Sequence, residues 1–145
     1  MLHLPSKPTR IALVSLDMFA AVTAIAGGAM LAIGLEDARF PADWLAGTPF
    51  DTYTIPGVIL TGAVGGSAAI AAAAVWRRRR GGPMSILSGV VLLGWIVGEI
   101  AILNGRRSDM ISPMEGLYLA VALAMIGLGV AMRGSSDGGS LTQAP

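Results

Sequence analysis

The stretch Ile55–Asn104 reads IPGVILTGAVGGSAAIAAAAVW, then RRRR, then GGPMSILSGVVLLGWIVGEIAILN. Ile55–Trp76 carries no charged residue, and Met84–Asn104 carries one, Glu99. Four consecutive arginines, Arg77, Arg78, Arg79 and Arg80, divide the two. A helix that crosses a bilayer needs about 20 predominantly apolar residues, so each part has the length of one span. Pro56 falls in the first turn of its helix, where a missing N–H costs little. Two apolar helices joined by a basic turn make this an all-α membrane protein.

Two more spans flank this pair. Toward the N-terminus, Ile11–Leu35 is apolar but for Asp17 and can cross with some tilt. A cleaved signal peptide is the rival reading, because Arg10 precedes the block; signal h-regions, however, run to roughly 7–15 residues, and this block is longer. Toward the C-terminus, Ser112-Pro113-Met114-Glu115 reads as a helix start. Ser112 can cap, Pro113 takes the first helical position and Glu115 completes a capping box. The fourth span runs from 113 to 132, ended by Arg133. The expected organisation is therefore a tail over 1–10, one four-helix transmembrane domain over 11–133 and a disordered tail over 134–145. The spans are 11–35, 55–76, 84–104 and 113–132, with a loop over 36–54. Short connections favour an up-down bundle.

Composition agrees. Over 145 residues, 54% are apolar and 13% charged, against about 25% charged in an ordinary soluble domain. There is no cysteine, and the single histidine is His3 in the tail, which removes disulfides, Fe–S clusters, Cys- or His-based metal sites and a Ser-His-Asp triad. A net charge of +1 argues against a nucleic-acid partner. No metal or cofactor is expected. Nine arginines to one lysine, with abundant Ala and Gly, hint at a GC-rich bacterial genome.

Arginine placement sets the orientation. Lys7 and Arg10, Arg77–Arg80 and Arg133 share one side, whereas the first loop holds Glu36, Asp37, Asp43 and Asp51 against Arg39 alone. Both termini are expected in the cytoplasm, in a multi-pass protein of the plasma or inner membrane. Arg106 and Arg107 dissent, partly offset by Asp109 and Glu115. The arginine run reads as a topology determinant with incidental contact to lipid headgroups. Small residues must let the helices approach in lipid, and Gly62/Gly66 and Gly94/Gly98 are the small-xxx-small pairs expected at helix contacts.

Asp17 and Glu99 are the candidate functional acids. An ionised, unpaired acid near the bilayer centre costs roughly 2–3 kcal/mol or more, so such residues mark function or a satisfied interhelical hydrogen bond. At about 1.5 Å per residue, Asp17 lies roughly 9 Å beyond Ile11 and Glu99 roughly 7–8 Å before Asn104, in opposite thirds of the membrane. Tyr118 and Thr61 are candidate partners of Glu99. Arg77, Arg133 or Ser88 could reach Asp17. The loop interleaves Phe40, Trp44, Phe50 and Tyr53 with acids, and Pro49 and Pro56 shape its turns. It suits an aromatic belt or a cap on the outer mouth, with a ligand or partner surface as the sharper reading.

In this loop the chain resembles a family of small, uncharacterised bacterial four-helix integral membrane proteins. The shared pattern here is Gly27-Gly28, then Trp44-Leu45-x-Gly47-Thr48-Pro49-Phe50-x-x-Tyr53-x-Ile55-Pro56-Gly57-x-x-Leu60, then the arginines after span two, then Trp95-Ile96-Val97-x-Glu99. The resemblance spans about Gly27 to Gly129 and implies the four-helix fold without an activity. Early in the loop, Glu36-Asp37-Ala38-Arg39-Phe40-Pro41 departs from the family's Gly-rich habit.

No enzymatic constellation is legible. The expected role is an accessory or structural membrane component whose partners are the bilayer and a membrane protein or a second copy. The alternative is a small oligomeric proton-coupled transporter or ion carrier using Glu99.

Overall fold

The computed structural model describes residues 6–36, 38–103 and 111–137. Among them the protein is all-helical, with four helices long and apolar enough to cross a membrane. These are α1 (Lys7–Ala32), α2 (Thr54–Trp76), α3 (Gly81–Leu103) and α4 (Pro113–Asp137). A short 3-10 helix, Ala42–Leu45, lies in the first loop.

The helix ends follow local chemistry. α1 begins one turn earlier than its apolar block because Ser6 caps it, accepting from Thr9 N at 3.4 Å, with Pro8 in the first turn. It closes before Gly34, which adopts φ 80°. The expected capping box opens α4: Ser112 N donates to Glu115 Oε2 at 2.6 Å, and Glu115 N donates to Ser112 Oγ at 3.3 Å. α4 continues past Arg133 to Asp137, so the first residues of the expected disordered tail are helical; 138–145 lie outside the described residues. The α2–α3 turn holds Arg78 at φ 56° and Arg80 at φ 53°, a left-handed backbone costing about 1–3 kcal/mol for a non-glycine residue.

The helices are apolar outside and small or polar inside. Ile11, Val22, Val58, Ile70, Val90, Val97, Leu123 and Val130 are all exposed. The core holds Ala20, Ala21, Ala24, Ala68, Ala71, Ala72 and Ala122 around Leu13, Val64, Val75, Leu92 and Met125. Such an exterior matches hydrocarbon, where burial cannot drive association and close backbone approach must.

That approach occurs at glycines other than the pairs expected. A Cβ on Gly28 would lie 2.6 Å from Gly57 O, and one on Gly57 would lie 2.6 Å from Gly28 O. Gly65 backs onto Ile25 and Ala21. α3 meets α4 where Gly82 and Gly129 face each other and where Gly89 abuts Ala122 O and Ile126. Among the described residues, Gly62, Gly66, Gly94 and Gly98 have no non-local atom within 4 Å of a built Cβ, so none of them is a point of close helix approach.

α2 changes winding between Leu60 and Gly65, where it is π-helical, with ordinary α-helix on either side. Gly57 and Gly65 must both face α1, yet they are eight residues apart, which in an α-helix leaves them about 80° out of line. The wider π-turn takes up roughly that angle and keeps both glycines on the contact face.

Candidate functional site

α3 packs along the lower part of α2, Gly66–Trp76, and much less on Leu60–Gly65. The first turns of α2, Thr54–Ile59, do not pack on α3 among the described residues. The two helices therefore part toward the first loop, and a cavity of about 690 Å³ fills the space. Thr23, Ala24, Gly27 and Leu31 of α1 form one wall, with Pro56, Ile59 and Leu60 of α2 beside them. Trp95, Ile96, Gly98, Glu99 and Ile102 of α3 face Met114, Glu115 and Tyr118 of α4. Its size lies within the range of small-molecule sites, roughly 300–1,000 Å³.

The first loop closes the top. Phe40 meets Trp44 edge-on at 6.2 Å and Tyr53 at 6.0 Å between ring centroids. Tyr53 OH donates to Pro41 O at 3.2 Å. Thr48 Oγ1 donates to Leu45 O at 2.7 Å and accepts from Phe50 N at 3.3 Å, which folds the turn at Gly47 (φ 83°). Leu45 is buried beneath it. Phe40, Trp44, Phe50, Tyr53 and Pro56 line the cavity, whereas Pro49 is exposed and does not. Glu36 and Arg39 stand at the rim 4.0 Å apart, and the Arg39 guanidinium lies 5.9 Å from the Phe40 ring centre.

Glu99 and Tyr118 share the cavity wall. The Tyr118 ring stacks on Phe19, 6.1 Å away. Thr61 is not in the lining: its hydroxyl is buried against Gly28 with no hydrogen-bond partner among the described residues. Glu115 joins the cavity through the capping box that holds its carboxylate. Gly27, Gly94 and Gly98 line it too, so the absence of side chains there makes room for contents rather than for another helix.

Asp17 stands apart, in the half of the bundle next to the arginine turn. It is fully buried, and its Oδ2 accepts from Ser85 Oγ at 2.6 Å. Its Oδ1 has no hydrogen-bond partner among the described residues. Arg77 and Arg133, considered as partners from sequence, are exposed and do not reach it. Ser88, one turn along α3, is buried and lies 3.5 Å from Ser67 Oγ of α2. Asp17, Ser85, Ser88 and Ser67 thus form a polar column through a core of alanines. Ser85 was not anticipated; it sits one turn beyond Arg80–Gly81, and a depth count of the kind applied to Glu99 would have found it.

The four exposed arginines Arg77–Arg80 form the opposite end from the cavity. Arg133 joins them, its Cγ 3.1 Å from where a Gly82 Cβ would stand. Comparison with protein-family models, curated proteins and solved structures finds no match.

Proposed function

We propose that the chain is a small multi-pass integral membrane protein of the accessory kind, whose working part is the cavity under the aromatic loop. It holds a hydrophobic guest, either a lipid-like molecule or a segment of a partner membrane protein, and carries out no chemistry on it. The observation behind this reading is the cavity itself. Apolar and aromatic side chains form its body, glycines widen it, carboxylates gather at one end, and α2 and α3 part beside it. In a bilayer that gap opens into lipid.

The reading includes an up-down bundle with the arginine turn and both termini in the cytoplasm of a bacterial cell, in the plasma or inner membrane. The basic residues at one end support that orientation. Gly28 against Gly57, with Ala21 against Gly65, supports antiparallel α1 and α2. Kinship with the small bacterial four-helix family belongs to the same proposal.

Photo-crosslinking in cells tests it. A benzophenone amino acid placed at Ile102 in the cavity should give one discrete adduct that the same group at exposed Val90 does not. Identical adducts at both positions would contradict the reading.

A second reading rests on Glu99 in the cavity and Asp17 in the polar column beyond it: proton-coupled transport in which Glu99 exchanges a proton for substrate. Glu99→Gln and Asp17→Asn would then each abolish flux in proteoliposomes, and unchanged flux in both would end it.

A further inference from the structure

Seven cationic side chains collect at the end of the bundle away from the cavity: Lys7 and Arg10 on α1, Arg77–Arg80 in the α2–α3 turn, and Arg133 on α4. Three observations bring them together. Arg133 lies along Gly82, just after the arginine turn. Asp17 meets Ser85, which places Arg10, two turns before Asp17, on the side where Arg80 precedes Ser85. None of the seven forms an ion pair among the described residues; the Arg39–Glu36 pair lies at the other end.

The turn is also built against its own backbone preference. Arg78 and Arg80 occupy the left-handed region, at φ 56° and 53°, which glycine adopts without steric cost. Glycines are near at hand in Gly81 and Gly82, yet the two left-handed positions carry arginine. A residue that works against its local conformation points to a role for its side chain. Beside the turn, Trp76 is 72% exposed, at the position of an interfacial anchor.

We propose that this end is a binding site for the anionic phosphate headgroups of the surrounding bilayer, with Arg78 and Arg80 as its principal contacts. Guanidinium groups bind phosphate oxygens in bidentate fashion, and none of the seven cations is paired with a carboxylate among the described residues, which leaves them open to anions from the bilayer. The site is a specific clamp rather than a diffuse attraction, because the backbone that carries Arg78 and Arg80 is held in a left-handed turn. It rests on the membrane reading and is independent of the cavity and its guest.

The test compares wild type with the double variant Arg78→Gly/Arg80→Gly in nanodiscs of phosphatidylcholine alone and of phosphatidylcholine with phosphatidylglycerol. Glycine relieves the left-handed strain, so the variant should melt at or above the wild-type temperature in phosphatidylcholine. Phosphatidylglycerol should raise the melting temperature of wild type by several degrees, and at least half of that gain should vanish in the variant. Loss of two arginines should weaken the preference for phosphatidylglycerol by roughly 25-fold, at about fivefold each. Equal gains in the two proteins, or no gain in wild type, would overturn the clamp and leave the membrane reading intact. A gain reproduced in phosphatidylcholine discs by soluble inorganic phosphate would assign the site to a free anion and overturn the lipid. Failure of the wild type to enter nanodiscs would overturn the membrane reading and the clamp with it.

Discussion

Ser85 Oγ donates to Asp17 Oδ2 at 2.6 Å in a core made mostly of alanine and aliphatic side chains, and among the described residues it is the one hydrogen-bond partner of that acid. Removing the hydroxyl leaves both carboxyl oxygens without a partner among the described residues. Ser85→Ala should therefore cost about 1–2 kcal/mol. That exceeds the average of about 0.6 kcal/mol for an interhelical hydrogen bond in a membrane, because the acid has no second partner to fall back on. Asp17→Asn keeps an acceptor for Ser85 and should unfold close to wild type. Unfolding in mixed dodecyl maltoside and SDS micelles, followed by circular dichroism, separates the two. Equal stability of Ser85→Ala and wild type would mean that the bond contributes nothing.

Glycines divide into two classes that substitution should distinguish. Gly82→Ala and Gly129→Ala each put a Cβ 2.8 Å from a backbone carbonyl of the facing helix, so the helices must separate. Each should cost roughly 1–3 kcal/mol, the usual range for overpacking. Gly94→Ala and Gly98→Ala meet nothing within 4 Å and should be tolerated or slightly stabilising, since glycine is a poor helix former. The same micelle titration reads both. The reverse order would place the close contacts on the wrong faces.

The capping box gives a local prediction. Ser112→Ala removes the oxygen that accepts from Glu115 N and should cost about 0.5–2 kcal/mol. It should also loosen the Glu115 carboxylate at the cavity end. Amide hydrogen exchange in the first turn of α4 should accelerate, while exchange around Ala122 and Met125 stays as in wild type. Uniform acceleration along α4 would show that the cap holds the whole helix rather than its first turn.

Much of the fold was legible because its signals are local. The uncharged run Ile55–Trp76, the arginine turn and the capping box at Ser112 each declare themselves within a few residues. Helix contacts were not legible in the same way. Gly62/Gly66 and Gly94/Gly98 have the spacing of contact motifs, yet the faces used are those of Gly28, Gly57, Gly82, Gly89 and Gly129. Spacing alone cannot say which face of an apolar helix turns inward, and the π-turn at Leu60–Gly65 shifts the face of α2 midway. At the site, the loop rings and Glu99 were visible as candidates. The cavity that joins them arises from the parting of α2 and α3, a tertiary feature with no sequence signature. Asp17 was visible as an intramembrane acid, but Ser85 passed as an ordinary small residue beside the basic turn.

The central claim, that the cavity under the loop holds a guest, is tested most directly by native mass spectrometry of protein released from its own membrane. Wild type is compared with Gly98→Leu, which fills the cavity from α3. The account predicts one tightly held amphiphile or partner segment on wild type and its loss from the filled variant, with the helical content of the two unchanged. A wild type free of adducts, or the same adducts on both proteins, would contradict it.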